Sequence, residues 1–327
     1  MKSIILFNQQ PADIPLVLSL VEENKTSEIT IVSIGIKNNY RFFTRILEKQ
    51  IKIIFIPKIK NPNPFNPVSW IRAKCFLSSI FKKRFKEFKT TDVYFFAKGH
   101  DWISMYIVNK LMKNGNQILF CPAINIEINK QNNSIKDFFI LSIYRWICNA
   151  DIVFARNKFS RFLFYDNENI MNSEIDIKPY IYKKYSSSLK ITSNTVLLID
   201  SNMEHYNNIN EYTETMLNLV KHILQCGYSI DIKEHPRLGA TRGIKDYIKS
   251  EFPSYIPAEF IDCENYSYVL GLSSNALASL SVIYPNVYSI LDLFQFKENN
   301  KKENYRNILT SSSKSNIRFI DNINFIK

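Results

Sequence analysis

A chain of 327 residues, 46% hydrophobic and 14% aromatic, has enough apolar side chains for two α/β cores of ordinary size without covalent staples. Its five cysteines (Cys75, Cys121, Cys148, Cys226, Cys263) form no C-x-x-C pair and no Cys/His cluster, which sets aside a disulfide framework and a zinc site and fits a reducing cytoplasm. A formal net charge of +12 admits an anionic membrane face or an acidic small substrate, whereas no RNP, zinc-finger or helix-turn-helix pattern supports a nucleic-acid partner.

The first apolar run, Lys2 to Phe7, reads as a strand that Asn8, Gln9 and Gln10 end too early for a signal peptide, and no segment reaches the ~20 apolar residues of a bilayer span. A soluble, cytoplasmic chain is expected. A helix over Asp13 to Glu23 leads to a β-branched strand, Glu28 to Ile34. A helix over Arg41 to Lys49 and a strand over Ile51 to Ile56, closed by Pro57, follow. This alternation implies right-handed β-α-β crossovers and a parallel sheet. Beyond the Asn61 to Pro67 loop, Trp70 to Lys89 is predicted as a long helix whose basic face is suited to solvent or to the surface of an anionic membrane.

The strand Asp92 to Ala97 delivers Lys98, Gly99, His100 and Asp101 to a turn before a helix over Ile103 to Met112. Asp101 is there either as a helix cap or as a catalytic carboxylate. A strand over Gln117 to Cys121, an aromatic helix over Ser134 to Asn149, a strand over Asp151 to Ala155 and a helix over Phe159 to Tyr165 complete the half. The texture turns polar from Asn167 to Ser193, and the expected division is a first domain over 1–178, a linker over 179–194 and a second domain over 195–327.

The second half opens with a strand, Thr195 to Ile199, ending at Asp200, then an amphipathic helix from about Asn210 to Cys226 that Gly227 stops. Tyr228, Ile230 and Ile232 alternate along a strand that reaches Lys233, Glu234, His235, Pro236 and Arg237. Pro236 halts the ladder, which leaves His235 at a carboxyl strand end, where ligands bind in open α/β sheets. A helix over Gly243 to Ser250 and short strands at Phe260-Ile261 and Tyr268 to Gly271 follow. Ser273 and Ser274 then precede Asn275, Ala276 and Leu277, a helix start with a serine cap and an anion site in its free N–H groups. A last strand over Val287 to Leu291 leaves a polar tail beyond Lys297, of which Phe319 to Phe325 is expected on the core.

The segments Lys233-Glu234-His235-Pro236-Arg237 and Leu272 to Leu280 resemble the HP and SS motifs of bacterial sialyltransferases and polysialyltransferases, over roughly Val196 to Ile290. The resemblance implies an α/β, GT-B-like fold: two Rossmann-like domains whose parallel sheets face a central cleft. It implies an inverting, metal-independent transfer of sialic acid or a related nonulosonic acid from a CMP-sugar to a bacterial surface glycan, lipooligosaccharide or capsule. His235 would be the general acid to the departing phosphate, and Ser273 and Ser274 would hold the donor's phosphate and carboxylate, beside Glu234, Pro236, Arg237 and Asn275. That family takes its base from an acidic-acidic-Gly triplet, which this chain lacks. Asp101 is the nearest substitute, with Asp200 and Glu204 as alternatives. No cofactor and no metal are expected, in keeping with the absence of an Asp-x-Asp pattern. The expected partners are the CMP-sugar, a glycan or glycolipid acceptor and, peripherally, the inner face of an anionic membrane. The alternatives are a GT-B transferase using CMP-Kdo or a UDP- or GDP-sugar, and a non-catalytic glycan- or membrane-binding protein.

Overall fold

The computed structural model describes residues 2–59, 63, 65–96, 102–120, 142–143, 146–147, 170–172, 175, 177–189, 194–204, 209, 211–236, 238–314 and 316–327. The chain divides into two compact units, Met1–Lys178 and Pro179–Lys327.

In the first unit β1 (Ser3–Asn8), β2 (Glu28–Ile34), β3 (Lys52–Ile56), β4 (Asp92–Phe95), β5 (Gln117–Phe120) and β6 (Ile170–Asn172) form one sheet in the order β3-β2-β1-β4-β5-β6, every pair parallel. Strand β1 lies in the middle, and its Ile4, Ile5, Leu6 and Phe7 are fully buried because helices cover both faces. Those helices are α1 (Ile14–Glu23), α2 (Lys37–Ile46), α3 (Pro67–Arg84) and α4 (Trp102–Lys113). Helix α3 starts earlier than its apolar spacing suggests. Asn66 caps it by accepting from the Val68 and Ser69 N–H groups, and Pro67 fits the first turn, where no N–H is needed.

The second unit repeats the plan. Strands β7 (Thr195–Ile199), β8 (Ser229–Lys233), β9 (Ser250–Glu251), β10 (Tyr268–Gly271), β11 (Val287–Ser289) and β12 (Arg318–Phe319) are again all parallel, in the order β12-β11-β10-β7-β8-β9. Read from the other edge, this is the order of the first sheet. The chain thus holds two Rossmann-like α/β units with parallel sheets, the fold class expected. The helices of this unit are α5 (Tyr180–Lys184), α6 (Tyr212–Gln225), α7 (Asn275–Ile283) and α8 (Asn299–Ser312).

Several elements differ from their sequence reading. Within residues 179–194, read as linker, lies α5, whose Ile181 is buried and whose Tyr182 ring lies 5.5 Å from that of Phe260, so this helix packs with the second unit. Strand β6 lies inside the stretch read as polar connection. The helix expected over Gly243 to Ser250 is a single 3-10 turn, Lys245–Tyr247, followed by edge strand β9. Backbone bonds from Lys249 N to Ile230 O and from Phe252 N to Ile232 O hold that segment against β8. Ala258–Phe260 is likewise a 3-10 turn, with Ile261 bridged to Ser187. The polar tail contains α8 and β12, and Ile320 and Ile326 are buried in the core. Strand β8 is buried on both faces rather than one, so Asp231 is enclosed and accepts from the Tyr266 hydroxyl at 2.9 Å. The expected strand over Asp151 to Ala155, the helix over Phe159 to Tyr165 and most of the Ser134 to Asn149 helix lie outside the described residues.

Candidate functional site

All strands of the second sheet are parallel, so all carboxyl ends share one edge. In a sheet of this order the connections leave β7 and β10 in opposite directions, and the opening between them is where open α/β sheets bind ligands. Residues 200–204 follow β7, and Leu272 to Ser274 follow β10. His235 follows β8, which pairs with β7 on its other side. Two strand spacings, about 10 Å, separate the ends of β8 and β10. His235, Ser273 and Ser274, well apart in the chain, are thus brought to one edge of one sheet.

Close packing shapes this edge. A Cβ added at Gly271 would meet Leu277 Cδ1 at 3.1 Å and the Ile199 carbonyl oxygen at 3.3 Å. The absence of a side chain there lets α7 lean on β10 and β7 and directs its first turn to the opening. Ser274 caps α7, its Oγ accepting from Leu277 N at 3.1 Å. Asn275 is the first helical residue and is exposed. Ser273 Oγ is buried and has no hydrogen-bond partner among the described residues. A buried hydroxyl left unpaired costs about 1–3 kcal/mol, and this one lies immediately before a helix N-terminus.

The loop after β8 is closely held. Gly239 N donates to His235 O at 3.0 Å, and Leu238 N donates to His235 Nδ1 at 3.1 Å. The turn closes through Gly239 at φ +72°, a conformation in which L side chains are strained. Because the Nδ1 lone pair is used by the backbone, the neutral imidazole carries its proton on Nε2.

Much of the remaining polar chemistry supports this loop. Asp200, 3% exposed, accepts at Oδ2 from Thr241 N (2.5 Å) and at Oδ1 from Thr241 Oγ1 (2.9 Å), Asn202 N (2.8 Å) and Tyr212 Oη (3.3 Å). Burial pushes its carboxyl above the ordinary aspartate range, and these donors partly offset that. Asn202, also 3% exposed, donates Nδ2 to the carbonyls of Leu238, Gly239 and Ala240 at 3.1–3.3 Å. Glu204 accepts from Thr213 Oγ1 at 2.9 Å and Arg242 N at 2.7 Å. Sequence reasoning offered Asp200 and Glu204 as alternative bases. In the structure Asp200 holds Thr241, Glu204 holds Arg242 N and Asn202 holds the carbonyls of 238–240, so the three side chains together brace the chain that follows His235. Asn202 was not singled out at all, because a side chain bonding to residues about 36 positions away leaves no local sequence signal.

Asp200→Asn is expected to destabilise the protein by about 1–3 kcal/mol, since an amide NH₂ must face at least one of these N–H or O–H donors. Chemical denaturation measures this, and a stable, fully folded variant with slow chemistry would instead return Asp200 to the role of base.

Of the other sequence-predicted residues, Glu234 is ion-paired with Lys245 at 2.5 Å, so its carboxylate already has a cation. Pro236 is exposed at the corner of the turn. Lys233 is buried and donates Nζ to Pro253 O at 3.2 Å, and burial holds its pKa below the ordinary lysine value. Arg237 and Asp101 lie outside the described residues.

The corresponding edge of the first unit also carries polar groups. Gln9, just past β1, donates Nε2 to Ser104 Oγ in the first turn of α4 at 2.9 Å. Asn39 Nδ2 donates to Asn8 Oδ1 at 2.8 Å, and the buried Asp13 carboxylate accepts the Gln9 and Gln10 N–H groups. Sequence reading took Asn8 to Gln10 only as a turn.

No family model matches the chain, and no curated protein matches it. Among solved structures, the E. coli heptosyltransferase WaaC with ADP is similar at 11% identity and TM-score 0.44, with 89% of this chain and 87% of that one covered. UDP-GlcNAc 2-epimerase from Neisseria meningitidis bound to UDP-GlcNAc is similar at 10% identity and TM-score 0.43, covering 98% and 95%. A family 9 glycosyl transferase from Veillonella parvula is similar at 12% identity and TM-score 0.42, covering 95% and 93%.

Proposed function

We propose that the chain is a glycosyltransferase that binds a nucleotide-activated sugar at the carboxyl edge of its second sheet, the donor being a CMP-linked nonulosonic acid and the acceptor a bacterial surface glycan. The observation that carries this reading is the pairing at that edge of the buried Ser273 hydroxyl, unpartnered among the described residues, with the capped N-terminus of α7, two strand spacings from a loop that fixes the His235 tautomer. A hydroxyl donor and free helix N–H groups suit an anionic oxygen. The HP and SS resemblance supplies the identity of the donor.

In this reading the bond between the sugar's anomeric carbon and the phosphate oxygen breaks through an oxocarbenium-like state, and negative charge grows on the departing phosphate. His235 stabilises that charge by donating Nε2–H, the proton its loop leaves on the outer nitrogen. Ser273 and the first turn of α7 hold the same charge in place. The acceptor hydroxyl loses its proton to a carboxylate, for which Asp101 is our assignment. We assign the acceptor side to the first unit and transfer without a metal.

The second reading changes the donor to CMP-Kdo or a UDP- or GDP-sugar. Thermal shift with CMP, UDP, GDP and ADP separates the two. CMP is expected to stabilise the protein by about 2.7 kcal/mol at a concentration 100 times its Kd, and CMP should be released from CMP-Neu5Ac in the presence of a glycolipid acceptor. Stabilisation by UDP or GDP alone selects the second reading, and a null result with every nucleotide sinks both.

A further inference from the structure

Helix α3 is apolar on two sides. Ala73, Leu77 and Phe81 face the core of the first unit, as a crossover helix requires. On the opposite face no such partner is found among the described residues. Val68 and Ile71 are each 55% exposed, and Phe65, just before the helix, is 68% exposed. Phe76 is exposed on the flank, and Trp146 is 48% exposed with Lys74 Nζ 3.7 Å from its ring centroid. Along the same exposed side run Arg72, Lys82 and Lys83, with Arg84 exposed at the helix end, and no acidic residue occurs between Asn63 and Lys86.

We infer that this face docks the protein on an anionic lipid bilayer. Large apolar side chains at the solvent end of the helix and cations on its remaining turns are the two components of interfacial adsorption, apolar insertion and attraction to charged headgroups. A half-exposed tryptophan under a lysine suits the headgroup layer, where an amphipathic ring meets both phases. Charge decides against the other occupants. Two copies meeting through this face would oppose Arg72, Lys82 and Lys83 to themselves, and a soluble polyanion has no use for Phe65, Val68 and Ile71. The inference stands apart from the donor reading, since it concerns a surface of the first unit and is read by binding alone.

The test is co-sedimentation of the full chain with phosphatidylcholine vesicles with and without phosphatidylglycerol. Binding is expected only to the anionic vesicles. Lys82→Gln with Lys83→Gln should weaken it about 30-fold, near fivefold for each charge. Val68→Ser with Ile71→Ser should weaken it about tenfold, and these exposed changes should leave the circular dichroism and thermal transition unchanged. Equal binding to neutral vesicles, or none to either, overturns the inference. Full retention by the Val68/Ile71 variant together with complete competition by heparin would make the face a polyanion site. A concentration-dependent dimer abolished by Ile71→Asp would make it a self-association surface.

Discussion

Replacing His235 with asparagine is expected to slow donor turnover about 10²- to 10⁴-fold while leaving the thermal transition close to that of the parent. The asparagine carbonyl oxygen sits near the position of Nδ1 and accepts the Leu238 N–H that the imidazole now accepts at 3.1 Å, so the loop keeps its bond. What it cannot supply is the proton on Nε2. Glutamine at the same position makes the complementary change: its amide nitrogen reaches toward Nε2 with a donor that is not an acid. Recovery of a tenth or more of the activity in His235→Gln would identify hydrogen-bond donation from a neutral ring. Equal inactivity of both variants, with a lost alkaline limb in the pH profile, would return His235 to proton transfer. Full activity in His235→Asn would remove the catalytic assignment altogether.

Ser273→Ala is expected to weaken nucleotide affinity about 10- to 100-fold, the worth of one hydrogen bond to a charged oxygen, while leaving the ligand-free protein as stable as before or more so. The sign of the second effect follows from burial. The hydroxyl has no partner among the described residues, so its removal relieves a desolvated group instead of breaking a bond. Stability gained together with affinity lost marks a group held for a ligand. Ser274→Ala should behave differently, costing about 0.5–2 kcal/mol because it deletes the cap that Leu277 N donates to. Titration calorimetry with CMP beside denaturation reads both, and unchanged affinity in Ser273→Ala would defeat the donor-site proposal.

What could be read from the sequence was whatever local burial writes into it. Strands β2, β7 and β10 have the limits their apolar runs suggest, because each is enclosed on both faces and ends where a polar residue or the chain's turn begins. The edge strand β9 left no such mark: it is the dipeptide Ser250–Glu251, paired through its backbone to Asp231 and Ile232. The apparent helix over Gly243 to Ser250 came from Ile244, Tyr247 and Ile248 at helical spacing. That spacing serves equally well for a 3-10 turn packed against α6. Helix α8 left little apolar signal, Leu309 being the buried side chain among its described residues. At the site, His235 and the serine pair were readable as residues at strand and helix ends. The Asp200, Asn202 and Thr241 clamp was not, since bonds between β7 and a loop some 40 residues later have no periodicity.

The central place of β1 and β7 has a consequence for the order in which the protein is made. Each is the first strand of its sheet in chain order, yet each lies in the middle of that sheet and is flanked on one side by a strand that emerges much later: β1 by β4, about ninety residues on, and β7 by β10, about seventy. At a synthesis rate of roughly 5–20 residues per second, the nascent chain presents a largely apolar strand for several seconds before its second neighbour leaves the ribosome. During that wait the strand lacks half of its ladder, and the same wait recurs when the second unit is translated.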